Sequence, residues 1–246
     1  MVWPKIEPWF KTLPLEQVFI TSIADCLKFP LNLLYSLKKR REKNFQPLSF
    51  HQHIHPWRKL LQKKSGFQRP VVKPTDVAML QYTGGTTGIS KGVMLTHSNL
   101  GINIKQCEIA LHDLSGKKHT VLGVLPYFHI YGLTVCVNFA TALGATLAPF
   151  PRFVPGELLQ AIDRLRPTIF PCAPAIFVAL LQQKNIRHYD LSSIQYCISG
   201  SAPIPVEIIN KFKELTKAEI IEGFGLTEAS PITHLNRAGR TWAALY

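Results

Sequence analysis

Acidic residues are scarce in this chain. Its 246 residues include 28 Lys+Arg against 15 Asp+Glu, a formal net charge of +13. The imbalance is concentrated: residues 1–70 hold 13 of the Lys+Arg and 4 of the Asp+Glu, which is +9 of the +13. A basic end of this kind suits an anionic partner (a phosphate ligand, an anionic lipid surface or nucleic acid) or a solvated face. Cysteine is sparse too. Cys26, Cys107, Cys136, Cys172 and Cys197 lie far apart with no C-x-x-C pair. That leaves no visible disulfide or zinc framework and points to a reducing cytosol. Met1–Phe10 contains Pro4, Lys5, Glu7 and Pro8 and does not read as a signal peptide. There is no internal repeat and no low-complexity tract. With 46% hydrophobic and 17% charged residues, disorder is not the default, and the length suffices for a sizeable core.

Long uncharged runs are also lacking, with one exception. Thr120–Pro151 contains no Asp, Glu, Lys or Arg. Pro126, Gly132 and Gly144 interrupt it, and the uninterrupted piece Leu133–Leu143 would span about 16 Å as helix. A hydrocarbon core is about 30 Å thick. The stretch therefore reads as a buried strand, a buried helix and a second buried strand rather than a membrane span.

Residues 1–73 read as a basic, apolar segment distinct from the rest of the chain. Cys26–Leu37 is apolar and runs into Lys38, Lys39, Arg40 and Arg41. It reads as an amphipathic helix whose cations suit a helix C-terminus or an anionic membrane surface. His51, His53 and His55 alternate, so on a strand they would share a face; with no Cys or carboxylate nearby, a polar solvent-facing run is favoured over a metal site. Ser65–Pro70 and Lys73-Pro74 read as a linker.

From Lys73 onward, strand-length apolar runs alternate with helical patterns. The strands expected are Val77–Gln81, Thr120–Leu125, Ala145–Phe150, Thr168–Pro171, Ile194–Ser199 and Glu219–Glu222. The helices are Ser98–His112, Tyr131–Leu143, Pro155–Leu165, Pro174–Gln183 and Pro205–Leu215, three of them with Pro near the first turn. Gly144 sits where a helix C-cap glycine belongs. This alternation predicts an α/β sheet with helices on both faces.

The densest chemistry lies in Tyr82–Gly92, "YTGGTTGISKG". Thr83, Gly84, Gly85, Thr86, Thr87 and Gly88 form an unbroken run of Gly and Thr, followed by Ser90 and Lys91. Glycines allow backbone N–H groups to approach a ligand and form an anion-binding concavity, and the threonines add hydroxyl donors. Lys91 supplies a charge worth about 4 kcal/mol against an anion at 4 Å and an effective dielectric of about 20, more than a surface helix dipole. The spacing matches neither G-x-x-x-x-G-K-[ST] nor G-x-G-x-x-G.

Three more stretches come after it in order: Leu125–Gly132 "LPYFHIYG", Ile198–Pro205 "ISGSAPIP" and Glu222–Pro231 "EGFGLTEASP". Together with the Gly/Thr loop they resemble the signatures of the AMP-forming adenylate synthetases, the superfamily of acyl-CoA synthetases, luciferases and peptide-synthetase adenylation domains. The match is strongest to the long-chain fatty acid–CoA ligase branch. The resemblance implies the large N-terminal domain of the acyl-CoA synthetase/luciferase-like fold, with ATP, fatty acid and CoA as substrates and Mg²⁺ as cofactor. Thr83 to Lys91 would hold the β- and γ-phosphates, and Thr83 and Glu228 would bind Mg²⁺. Phe224 would stack on adenine, Gly200, Ser201 and Ala202 would offer backbone to its edge, and Thr227 would bond the α-phosphate. Glu222, Gly223, Gly225 and Leu226 would complete the nucleotide site. Tyr127, Phe128 and His129 would border the acyl group. Lys91, Thr227 and Glu228 are the catalytic candidates. None is a nucleophile, so catalysis would be positioning and charge stabilisation.

The match covers about residues 74–237, with weaker similarity before it, and "NRAGRTWAALY" departs from the family pattern. Absent are the family's ribose-holding Asp, hinge and lid. The chain is therefore expected to be a fragment, with residues 238–246 an aberrant tail from a frameshift near Arg237 and a start inside the gene, and to make no acyl-CoA alone. The expected setting is cytoplasmic, peripheral on the inner face of the membrane. The alternatives are a non-catalytic MgATP-binding module, another acid–CoA ligase, or a membrane or nucleic-acid binder acting through residues 1–70. Nucleic acid ranks last, because no interleaved aromatic and basic pattern is present.

Overall fold

The computed structural model describes residues 3–10, 12–42, 53–62, 66, 68–84, 88, 90–111, 114 and 116–236. The chain forms two compact units, residues 1–70 and 71–246.

The first unit contains α1 (Trp3–Phe10), β1 (Val18–Ile20), α2 (Leu31–Arg40), β2 (Ile54–Pro56) and α3 (Trp57–Leu61). β1 and β2 pair in parallel, Val18 opposite Ile54. His53 and His55 flank buried Ile54 and turn to the β1 approach: His53 Nδ1 meets Glu16 O at 2.9 Å and His55 Nε2 meets Gln17 Oε1. His51 lies outside the described residues. The predicted single helix across Cys26–Leu37 is corrected. Ile23–Cys26 is a separate 3₁₀ turn capped by Ser22, and α2 starts only after Pro30, which cannot continue a helix from behind. Lys38, Lys39 and Arg40 do occupy the last turn of α2, where cations offset the exposed carbonyls. Among the described residues no helix is long and apolar enough to cross a membrane.

The second unit opens with β3 (Val77–Thr83) and β4 (Lys91–Thr96), an antiparallel hairpin apart from the main sheet. Strand β4 was not legible in the sequence. It carries Lys91 and Gly92, and only Leu95 is fully buried, so no apolar alternation announces it. Helix α4 (His97–Ala110) comes directly after it. Thr96 accepts the Asn99 N–H at 3.1 Å and Asn99 Oδ1 accepts the Thr96 N–H at 3.0 Å, a reciprocal cap.

The main sheet contains β5 (Thr120–Gly123), β6 (Thr146–Pro149), β7 (Ile169–Cys172), β8 (Tyr196–Ser199), β9 (Glu219–Gly225) and β10 (Ile232–Leu235). Its order is β10-β9-β8-β7-β5-β6, parallel except for the antiparallel edge strand β10. Between β5 and β6, α5 (Ile130–Gly132), a π-helical turn (Leu133–Asn138) and α6 (Phe139–Ala142) run as one helix. The uncharged stretch is thus a strand, a helix and a strand in the predicted order, but only β5 and the helix are buried: β6 is the other edge of the sheet, with Thr146 and Pro149 exposed, which corrects the expected second buried strand. Gly144 closes the helix with a φ of +61°, the left-handed cap expected of it. The remaining helices are α7 (Pro155–Leu165), α8 (Pro174–Leu181) and α9 (Val206–Thr216).

Strand side chains alternate between two cores, as a period of two requires. Leu122, Phe170 and Cys197 point to one face, where Leu158, Ile162, Phe177 and Phe212 of α7, α8 and α9 pack on them. Val121, Ile169, Ile198 and Ile221 point to the other, against Ile104 and Cys107 of α4 and Val135, Cys136 and Phe139 of the π turn and α6. The α/β class with helices on both faces is therefore confirmed. A parallel sheet buried on both faces leaves its functional loops at the carboxyl ends of the strands.

Candidate active site

The carboxyl ends of β5, β8 and β9 surround a cleft of about 260 Å³. Its lining includes His129, Tyr131, Gly200, Ser201, Gly223, Phe224, Gly225, Leu226 and Thr227, with Ile198, Ile232 and Leu235 as an apolar floor and wall. Three stretches singled out in the sequence therefore meet at one place.

Each arrives there for a local reason. After β5 the chain turns at Pro126, and the Tyr127 hydroxyl donates to Gly123 O at 3.2 Å. A Cβ at Gly123 would lie 2.0 Å from that hydroxyl, so a larger residue would displace the Tyr127 ring. His129 starts the next helix: its Nδ1 accepts the Tyr131 N–H at 3.2 Å. In the neutral ring that leaves Nε2–H as a donor for the cleft. Gly132 lets the helix pass Pro126 O, which would be 2.4 Å from a Cβ.

After β8, Gly200 and Ser201 turn sharply. Ser201 has a φ of +73°, a conformation costly for a side-chain-bearing residue and concentrated at binding turns. Glu222 secures this turn from β9: its Oε1 accepts the Ile204 N–H at 3.2 Å. Glu222 thus holds the loop rather than lining the cleft. Phe224 is 56% exposed, leaving its face open to a planar partner. The Thr233 hydroxyl donates to Phe224 O at 3.1 Å, and the His234 ring lies 6.2 Å from that of Phe224.

The Gly/Thr loop joins the two hairpin strands. Thr83 and Lys91 are cross-strand partners at its mouth, and the Thr83 hydroxyl donates to Lys91 O at 3.5 Å. Gly84 and Gly88 are described, Gly88 with a φ of +94° that suits only glycine; Gly85, Thr86 and Thr87 lie outside the described residues. Gln81 Nε2 donates to Phe128 O at 2.9 Å, tying the hairpin to the Pro126–His129 corner. Strand β4 also packs beside the 3₁₀ turn Thr227–Ala229 that carries Glu228. Thr83, Lys91 and Glu228 do not line the cleft itself, nor do Tyr127, Phe128 and Ala202. Phe128 is 83% exposed.

Sequence reasoning missed Tyr131 as a structural centre. Its single phenolic O–H donates to Ile198 O at 2.8 Å, with Cys172 O sharing it at 3.3 Å, which bridges the ends of β7 and β8 beneath the cleft. Burial raises its hydroxyl pKa well above the ordinary phenol value, so it stays a donor. Burial likewise pushes Cys136 up to about 12 and raises Cys172 and Cys197, so these thiols stay protonated and inert. Among the described residues no group of three or more His, Cys, Asp or Glu could hold a metal.

Comparison with known proteins identifies the family. The family model described as AMP-binding enzyme matches residues 16–244. A long-chain-fatty-acid–CoA ligase of Bacillus subtilis (strain 168) is 44% identical over 230 residues, covering 92% of this chain and 41% of the relative. The 4-coumarate–CoA ligase 1 of Narcissus pseudonarcissus is 38% identical over 164 residues, covering 65% of this chain and 30% of the relative. In fold, the chain is similar to the crystal structure of the anthranilate CoA ligase AuaEII in complex with anthranoyl-AMP, with a TM-score of 0.75 at 24% identity over 98% of this chain and 42% of that one. The chain thus spans about two fifths of the length of the first of these relatives. With the Gly/Thr hairpin, the β8 and β9 turns and the family match in agreement over nearly its whole length, this chain belongs to the AMP-binding enzyme family.

Proposed function

We propose that the cleft binds an acyl-adenylate, and that the protein serves the ATP-dependent, AMP-forming conversion of a long-chain fatty acid to its CoA thioester. The observation that carries this reading is the meeting of His129, the Gly200–Ser201 turn and Phe224–Thr227 around one cleft at the strand ends. The 44% identity to a long-chain fatty acid–CoA ligase supports the acid class. Because the chain spans 41% of that relative, the whole reaction is proposed for a protein of the relatives' architecture, and the binding steps for this chain.

In the first step the fatty acid carboxylate oxygen attacks the α-phosphorus of ATP. An acyl C–O–P linkage forms, the bond to the β-phosphate oxygen breaks and pyrophosphate leaves. In the second step the CoA sulfur attacks the acyl carbon and AMP leaves. Phe224 stacks on adenine, while Gly200, Ser201 and Ala202 present backbone to its edge. Thr227 donates to the α-phosphate. Thr83, Gly84, Gly85, Thr86, Thr87, Gly88 and Lys91 hold the β- and γ-phosphates. Tyr127, Phe128 and His129 border the acid. Among the described residues His129, Gly200, Ser201, Phe224 and Thr227 meet around the cleft, which supports charge stabilisation with little reorganisation. Thr83 and Glu228 carry hard oxygen donors, the chemistry that suits Mg²⁺, which would neutralise phosphate charge.

The basic first unit is read as a contact with anionic membrane on the cytoplasmic face, where long-chain acids partition. Leu31, Leu33, Leu34 and Leu37 of α2 are exposed and adjoin Lys38–Arg41. Co-sedimentation with anionic but not neutral vesicles, lost at high salt, is the expected result.

Titration of the chain with non-hydrolysable palmitoyl-, coumaroyl- and acetyl-adenylate analogues tests the acid class. The palmitoyl analogue should bind most tightly. Preference for the coumaroyl analogue would overturn the fatty acid reading. MgATP binding with no affinity for any acyl-adenylate would favour a nucleotide-binding module.

A further inference from the structure

Strand β10 is the edge of the sheet, and an edge strand presents unpaired N–H and C=O groups on its outer side. Here Asn103, from the middle of α4, meets them. Its Oδ1 accepts the Ile232 N–H at 3.2 Å, and its Nδ2 donates to Ile232 O at 2.7 Å. The second Nδ2 hydrogen goes to Gln106 Oε1 at 3.3 Å. Asn103 is 4% exposed, so these bonds form away from water. The carboxamide takes both backbone groups of one residue, as a neighbouring strand would. The opposite amide orientation would set donor against donor and acceptor against acceptor.

The bonded residue matters because β10 is irregular there. Its register with β9 shifts between Ile232 and His234. A bulge leaves local placement weakly fixed by the ladder alone. Ile232 and Leu235, at the two ends of this short strand, are both walls of the cleft.

We propose that Asn103 is a positioning residue for the cleft: its carboxamide replaces the strand that β10 lacks and fixes the wall made by Ile232 and Leu235. This rests on the acyl-adenylate reading of the cleft only for what the wall contacts. Ile232 pairs with Gly225, and His234 and Leu235 pair with Phe224 and Gly223, so loss of Asn103 should disturb the adenine side of the cleft through β10.

The test compares the wild-type chain with Asn103→Ser and Asn103→Asp. Asp keeps the acceptor for the Ile232 N–H but sets a carboxylate against Ile232 O. Two readouts are taken: affinity for AMP and for a palmitoyl-adenylate analogue, and amide hydrogen exchange along β10. Orphaning a buried backbone pair beside the strand that carries Phe224 should weaken AMP and the acyl-adenylate analogue alike, about tenfold in both variants. Exchange at Ile232 should accelerate while that in β7 and β8 stays unchanged. Unchanged affinity for both ligands, or faster exchange spread over the whole sheet, would overturn the proposal, the latter by showing a general stability role. Unchanged exchange at Ile232 would overturn it equally. If the wild-type chain binds neither ligand, the acyl-adenylate reading fails, and the exchange pattern alone decides whether Asn103 holds β10.

Discussion

Gly200 faces the ring of Tyr131 so closely that a Cβ there would lie 2.8 Å from Tyr131 Cζ. The ring cannot yield, because its hydroxyl is committed to Ile198 O and Cys172 O beneath the cleft. A glycine in the turn after β8 and a tyrosine in the helix after β5 are therefore one device. It locks two cleft-lining segments, far apart in sequence, against the ends of β7 and β8.

Gly200→Ala should accordingly cost about 1–3 kcal/mol, the range for overpacking a closed site. Tyr131→Phe removes the donor without changing the ring and should cost about 1–2 kcal/mol by leaving Ile198 O short of a partner. Equilibrium denaturation of both variants in urea measures the two losses.

Lys91→Ala should weaken MgATP binding about tenfold or more and change AMP affinity by less than about twofold. The lysine sits at the loop mouth opposite Thr83, and in the proposed site its charge meets the outer phosphates. Calorimetric titration with both nucleotides separates this from a general loss of folding, which would weaken both.

Thiol labelling should distinguish one cysteine from four. Cys26 is exposed; Cys107, Cys136, Cys172 and Cys197 are buried. Burial pushes the Cys107 thiol up to about 11 and that of Cys136 up to about 12, so little thiolate exists at about pH 8. A chromogenic disulfide reagent should find a single fast thiol in the native chain, abolished by Cys26→Ser, and all five after unfolding.

Asp190 gives a pH signature on the opposite end of the sheet from the cleft. The Ser192 hydroxyl and N–H and the Arg166 guanidinium lower its carboxyl to about 2. A depressed carboxylate pKa stabilises the fold above the ordinary unfolded value near 4, and that contribution is lost as pH falls through about 2. Asp190→Asn should flatten the dependence of stability on pH within that window and leave that dependence unchanged near neutrality. Thermal unfolding of both chains across this range measures it.

Much of this was legible in the sequence because the relevant signals are local. Helix α7 runs from Pro155 to Leu165 as its proline start and apolar period indicate. Strands β5, β7 and β8 are short apolar runs between turn residues, and the parallel sheet buries them on both faces. What was missed depends on distant partners. Edge strand β10 has Thr233 and His234 exposed and no apolar run to reveal it. Tyr131 meets an acceptor 67 residues away and Asn103 meets a strand 129 residues away, and no spacing rule connects them. Cleft geometry divided in the same way. The motifs naming Phe224 and Gly200 could be read directly, but the roles of Glu222 as a loop clamp and Gln81 as a hairpin tie needed the fold.

The most direct measurement is an AMP titration of the wild-type chain and of Phe224→Ala, followed by calorimetry. Base–aromatic stacking contributes about 1–3 kcal/mol, so saturable binding by the wild-type chain should weaken roughly tenfold or more in the variant. Equal affinity in the two chains, or no saturable binding by the wild type, would contradict the assignment of this cleft as a nucleotide site.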